Sequence, residues 1–276
     1  MNNFKKIILL VLPFIFLFGT NVIAKTTLVM ACPAIDTKNK ICEELGNTYT
    51  SKNPDVEFEY SPWPSTDEGR TVLGTQLATG TAADIVHYNS GALLGAINPA
   101  KTMVALTGDP LFDNIDPGYL PAVTVNGEVY GIPGDYAMGS GFFYNKKVYA
   151  KHNLSVPMTW AALMDNCEKI KAGGDVCVHQ TFGTDWTSQI VHLGSHCIIE
   201  NSMPGWYKLY GSNQAKWSTT PAGMRGWEKQ QELFDRGFIN EDHPSSTLEE
   251  GFKAVATGSS AHYAMLTFAT GDFQSV

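Results

Sequence analysis

Apolar positions along this chain switch between a two-residue and a 3.6-residue period, and each switch marks an element. Thr26 to Ala31 predicts a first strand. Ile41, Leu45 and Tyr49 recur every four residues and predict a helix that turns this stripe inward, with Asp36 as its cap. Asn53-Pro54 ends it, and Val56, Phe58 and Tyr60 alternate as a second strand. Ser65-x-x-Glu68 predicts a capping box that opens a helix through Val72, Leu73 and Leu77, with Gly80 as the stop. Asp84 to Tyr88 predicts a third strand. Strands and helices alternating at these lengths predict an α/β fold, a parallel sheet with helices on both faces.

Asn126-Gly127 between Val123-Thr-Val and Glu-Val-Tyr130 predicts a type I′ hairpin, because both central residues must take positive φ. A bent, glycine-rich strand then runs into Tyr144-Asn145-Lys146. Thr159 caps a helix carrying Trp160, Leu163, Cys167 and Ile170, which Gly173-Gly174 ends. Val176 to His179 predicts a strand, followed by a helix from about Trp186 to Cys197. Thr220-Pro221 places proline at the first helical position, ahead of an apolar stripe with Trp227 and Phe234 that predicts core packing. Thr247-x-x-Glu250 is a second capping box, ahead of Phe252 and Val255, with Gly258 as the stop. Ala261 to Phe268 predicts the last strand.

The N-terminus changes the picture. Lys5 and Lys6 precede an uncharged apolar run from Ile7 to Phe18, and Val22-Ile23-Ala24 supplies small residues for a cut after Ala24. That is the pattern of a secretory signal peptide, and the run is shorter than the roughly 20 residues that span a bilayer. Residues 1–24 hold two lysines and no acid, so the exported chain carries −10 rather than −8. An acidic balance without basic clusters argues against nucleic acid or an anionic membrane as partner. In an oxidising compartment Cys32–Cys42 and Cys167–Cys177 can pair and leave Cys197 over, although spacing alone does not fix connectivity and free buried thiols fit equally.

Several segments, in order, resemble bacterial extracellular solute-binding proteins of family 1, the maltose-binding-like carbohydrate receptors of ABC importers. They are Asn53 to Val56, GTAADIVHYNSG from Gly80 to Gly91, and Gly127-Glu-Val-Tyr-Gly-Ile-Pro133. Tyr144-Asn145-Lys146, Pro157-Met-Thr-Trp160, and Phe252 to Met265 with Gly258 complete the set. Ala83 departs from the pattern, where many relatives have proline. The resemblance implies a two-lobed, type II periplasmic-binding-protein fold with a hinge between lobes. The signal peptide would be residues 1–24, the N-terminal lobe 25–135 and the second lobe 136–276. Relatives continue past the Ala264-Met265 strand, so C-terminal return segments are expected to be missing here. It also implies a periplasmic receptor, expected as a monomer, that closes on a sugar or polyol in the cleft between its lobes and presents it to the permease subunits of an ABC transporter. No cofactor is implied.

Sugars offer hydroxyl edges and weakly positive C–H faces, which suit Asp, Asn and Ser on one side and aromatic π-faces on the other. In an open α/β sheet such groups gather past the carboxyl ends of strands. That places Trp63 after the second strand and Tyr88, Asn89 and Ser90 after the third. Asp135 and Tyr136 lie on the crossover, and Asp185 and Trp186 begin a second-lobe helix. Phe273 stands where many relatives put a ligand-contacting aromatic. Asp84 is weighed as a cap for loop amides at the strand entry against direct ligand contact, Trp160 as helix packing, and Trp206 and Trp217 as surface or lobe packing.

Catalytic signatures are absent: there is no G-x-S-x-G elbow, H-E-x-x-H or Walker loop. His192 and His196, four apart, lack a third metal ligand at recognisable spacing, so packing histidines are the better reading. The reading is therefore a binding protein and not an enzyme. The alternative is a secreted glycoside hydrolase with Asp135 and Asp185 as its carboxylate pair.

Overall fold

The computed structural model describes residues 25–34, 40–64, 66–134 and 138–274. The signal-peptide segment, Asp36, Ser65, Asp135 and Tyr136 lie outside the described residues. The chain forms two compact units, divided between Pro133 and Gly134.

The first unit is built on a parallel sheet in the order β2-β1-β3, from β1 (Thr26–Pro33), β2 (Val56–Trp63) and β3 (Ile85–Val86). Thr26 pairs with Val56 and Met30 with Ile85. The central strand is covered on both faces, as a parallel sheet requires. Met30 and Cys32 pack on one side against Cys42, Phe58 and Tyr60; Ala31 packs on the other against Trp63, Leu73 and Leu77. Helix α1 (Ile41–Lys52) covers the first face and α2 (Asp67–Thr79) supplies Leu73 and Leu77 to the second.

The seating of α1 corrects the periodicity reading. Leu45 and Tyr49 are 55% and 50% exposed, and the buried positions are Cys42 and Gly46, one residue further round the helix. Two constraints turn it. A Cys32–Cys42 disulfide ties the helix to β1. Gly46, where a Cβ would run into the Tyr60 hydroxyl and come within 3.2 Å of the Phe58 ring, lets the backbone lie on β2. The cap of α2 also moves: Thr66 accepts from the Gly69 amide at 3.2 Å, and Gly80 closes the helix at φ 70°. Asp84 accepts from the Val29 amide at 2.8 Å, so it holds an amide within β1 rather than the loop amides expected of it.

Short helices α3 (Ala92–Ala96) and α4 (Pro99–Thr102) lead to the hairpin of β4 (Thr124–Val125) and β5 (Glu128–Val129). Asn126 and Gly127 both take positive φ, 53° and 88°, as the turn demands.

The second unit centres on β8 (Ser260–Leu266), which runs parallel to β7 (Val176–His179) and antiparallel to β6 (Ser140–Tyr144). Around the sheet lie α5 (Lys146–Lys151), α6 (Trp160–Ala172), α7 (Ile190–Leu193), α8 (His196–Ser202), α9 (Trp206–Gly211), α10 (Pro221–Asp235), α11 (Leu248–Thr257) and α12 (Thr270–Gln274). Leu163, Cys167 and Ile170 from α6, Leu233 from α10, and Phe252 and Val255 from α11 bury the sheet. A Cys167–Cys177 disulfide joins α6 to β7, and Cys197 is free and exposed. The Thr247–Glu250 capping box forms in both directions.

Trp206 packs, one of the two placements weighed for it: it is fully buried, and its Nε1 donates to Thr220 Oγ1 at 2.8 Å. Two expectations are corrected here. The helix expected over 186–197 is a 3-10 turn (Asp185–Gln189) followed by two short helices. Trp227 is 43% exposed, because α10 buries Gly223, Gly226, Gln230 and Leu233, a stripe beside the one that carries Trp227. Among the described residues no helix is long and apolar enough to cross a membrane.

Candidate ligand-binding loops

Each unit has its own set of loops past the carboxyl ends of parallel strands. In the first unit Trp63 closes β2, and Tyr88, Asn89 and Ser90 follow β3. Trp63 and Tyr88 stand together, ring centroids 5.7 Å apart and tilted by 38°. Asn89 and Ser90 are exposed beside them. Trp63 is not the open platform that its loop-like setting predicts. It is only 8% exposed, packed with Ala31, Leu73 and Leu77. Its indole Nε1 is buried with no hydrogen-bond partner among the described residues. A buried, unanswered N–H is costly, so this group is poised to donate to an acceptor. Burial holds the Tyr88 phenol above its usual range, with Arg70 pulling the other way, so the hydroxyl stays protonated at neutral pH.

In the second unit the loop after β7 carries Asp185 and Trp186. Asp185 is exposed and its Oδ1 accepts from the Trp186 amide at 2.7 Å. The half-buried Trp186 ring lies 6.3 Å from Phe268, which follows β8. Two aromatic rings thus meet past the ends of adjacent parallel strands, with Asp185 next to Trp186 in the chain.

A buried polar network fixes this loop. Thr181 Oγ1 lies 2.8 Å from Thr187 Oγ1 and 2.6 Å from the Tyr263 hydroxyl, while Thr187 Oγ1 donates to the Thr181 and Thr184 carbonyls at 2.6 and 2.8 Å. Thr184 Oγ1 accepts from the Leu248 amide at 3.0 Å, and the Gly183 amide donates to Ser246 O at 2.9 Å. Burial pushes the Tyr263 phenol well above its usual range, which keeps its proton in the network. Behind it His179 joins Ser260 and Ser246 at 3.0 and 2.9 Å, and burial lowers its pKa. Hydrogen bonds that are all satisfied in a dry interior rigidify what they hold.

Phe268 was missed by sequence reasoning, which ran the last strand through it. The strand stops at Leu266, and the signal available was an aromatic two residues past an alternating run. The partly buried Phe273 ring packs 4.8 Å from Phe143 and 5.1 Å from Phe252, against the core. His192 and His196 pack with Trp227 and Trp217, His192 stacking on Trp227 at 3.8 Å.

Comparison with known proteins agrees with this architecture. A chitin oligosaccharide binding protein superposes with a TM-score of 0.74 at 20% identity, over 90% of this chain and 63% of that one, which establishes the two-unit α/β fold of type II periplasmic-binding proteins. By sequence the chain is 30% identical over 131 residues to an ABC transporter extracellular-binding protein of Pyrococcus horikoshii, across 46% of this chain and 31% of that protein. It is 29% identical over 155 residues to the multiple sugar-binding protein of Streptococcus mutans, across 56% of this chain and 36% of that one. The matched regions thus span about a third of these two relatives. The profile of one family matches residues 44–275, most of the sequence, and the chain belongs to that family, the bacterial extracellular solute-binding proteins.

Proposed function

We propose that this protein is the substrate-binding component of an ABC importer and that its solute is a carbohydrate, a mono- or oligosaccharide, delivered to the permease. The observation that carries the reading is Trp186 beside Phe268, with Asp185 bonded to the Trp186 amide, on a loop locked by Thr181, Thr187 and Tyr263. The rings offer π-faces to sugar C–H groups, and the carboxylate accepts hydroxyls with charge-assisted bonds. Trp63 contributes its Nε1 rather than a stacking face, with Tyr88, Asn89 and Ser90 as hydroxyl partners. Asp135 and Tyr136 are proposed from the crossover on sequence grounds alone. The names of the relatives, a multiple sugar-binding protein and a chitin oligosaccharide binding protein, support a sugar over other solutes.

A binding protein holds its ligand unchanged, whereas the glycoside hydrolase alternative would cleave it. A thermal-shift screen over raffinose, maltose, chitin oligosaccharides and sorbitol tests the reading, because bound ligand raises stability by mass action. At least one oligosaccharide is expected to raise Tm and to be recovered intact. A screen in which no carbohydrate raises Tm, or in which the sugar is hydrolysed, overturns it.

A further inference from the structure

The exposed side of α10 forms a groove of about 470 Å³ lined by Met224, Trp227, Glu228, Gln231, Glu232 and Asp235, none of them a residue of the loops described above. Trp227 is its floor. One face of the indole stacks on buried His192, centroids 3.8 Å apart and 18° from parallel, so the ring is fixed while its surface stays 43% exposed. Three carboxylates stand around it, and no lysine or arginine lines the groove. Arg225 holds Glu228 at 2.9 Å and Arg236 holds Glu232 at 2.8 Å, which orients both acids. Trp160 Nε1 also donates to Glu232 at 2.6 Å, and Asp235 accepts from Gln231 at 2.8 Å.

We propose that this groove is a docking site for an arginine side chain presented by a partner protein. The charge complementarity decides the occupant. Arg225 and Arg236 already neutralise Glu228 and Glu232, which leaves the Asp235 carboxylate, bonded to the neutral Gln231 amide, as the charge an incoming group meets; it disfavours an anion, and a neutral sugar would use only the ring. A guanidinium uses both: it stacks on the indole and donates in a fork to a carboxylate. The chain already closes this combination internally. Arg236 lies 4.8 Å from the Phe238 ring centre while it bonds Glu232 and Glu168. Arginine fits better than lysine because its planar head stacks flat and bonds bidentately.

The test is titration of the full chain with the capped tripeptide Gly-Arg-Gly, followed by the indole N–H resonances in NMR. Gly-citrulline-Gly is the uncharged isostere, and Trp227→Phe and Asp235→Asn are the variants. The arginine peptide is expected to shift the Trp227 resonance saturably. Replacing Asp235 by Asn should weaken binding at least roughly fivefold, with Tm unchanged, and 0.5 M salt, probed because screening shortens the reach of charge, should weaken it too. Equal affinity for the citrulline peptide, an unaltered affinity in both variants, or a Trp227 shift driven instead by raffinose would overturn the proposal. The citrulline and variant outcomes do not touch sugar binding at Trp186, and a raffinose response is read separately in Trp186→Ala, so the two readings fail separately.

Discussion

Gly183→Ala probes how the Trp186 loop is held. An alanine Cβ there would lie 2.6 Å from the Ser245 carbonyl carbon and 2.8 Å from Ser246 O, backbone atoms that no rotamer change can clear. Ordinary contact begins near 3.4 Å and the Ser245 carbonyl oxygen is the nearest atom of all, so the loop must retreat by about 1.1 Å. That strains the Gly183–Ser246 hydrogen bond and the Thr181–Thr187–Tyr263 network behind it. Overpacking of this kind costs about 1–3 kcal/mol, a fall in Tm of roughly 2–12 °C for a chain of this size. Gly141→Ala is the control, since nothing lies within 4 Å of its added Cβ. Calorimetric melts of both variants, with titration of whichever oligosaccharide the screen identifies, give the two readouts. Gly183→Ala should melt early and bind more weakly because Trp186 is displaced, while Gly141→Ala should match the parent in both. If Gly183→Ala melts and binds like the parent, the loop is not held as described.

Trp186→Ala should weaken the identified sugar by about 1–3 kcal/mol, roughly 5- to 150-fold, while Trp227→Ala leaves sugar affinity unchanged in the same titration. Burial lowers the pKa of His262 from 6.5 to about 4, with Tyr149 at 2.6 Å on Nε2 and the Cys177 carbonyl at 2.8 Å on Nδ1. The native ring is therefore neutral where the unfolded ring takes a proton. Its contribution, about 3 kcal/mol from the size of that shift, is fully present above pH 6.5 and is lost as pH falls toward 4. Urea melts between pH 7 and 4 should show the loss, with a shallower slope in His262→Gln. Replacing Cys32 and Cys42 together with serine removes a cross-link over a short loop and should cost about 2–4 kcal/mol, seen as a lower denaturation midpoint.

Local chemistry was legible in the sequence wherever a few neighbouring residues decide the outcome. The Thr247–Glu250 capping box, the Thr159 cap, the Asn126-Gly127 turn and the αL stops at Gly80 and Gly258 each form as read. What was not legible depends on distant partners. The roll of α1 is set by Cys32 and by the rings of Phe58 and Tyr60, which no periodicity within the helix reports. On α10 small residues and Gln230 take the buried face, because a Cβ at Gly226 would come within 2.8 Å of the His192 backbone, and Trp227 is turned outward. In the candidate site the neighbourhood of Asp185 and Trp186 was legible from strand order. The burial of Trp63, the core packing of Phe273 and the place of Phe268 depend on side chains far away in sequence.

The central claim is that the chain binds a carbohydrate through the Trp186 loop. The most direct measurement is isothermal titration of the purified chain and of Trp186→Ala with raffinose and chitin oligosaccharides, with chromatography of the sugar afterwards. The account predicts saturable one-to-one binding of at least one oligosaccharide, recovered uncleaved, and a loss of roughly 5- to 150-fold in affinity on replacing Trp186. Heat from hydrolysis, or a sugar bound equally well without Trp186, would contradict it.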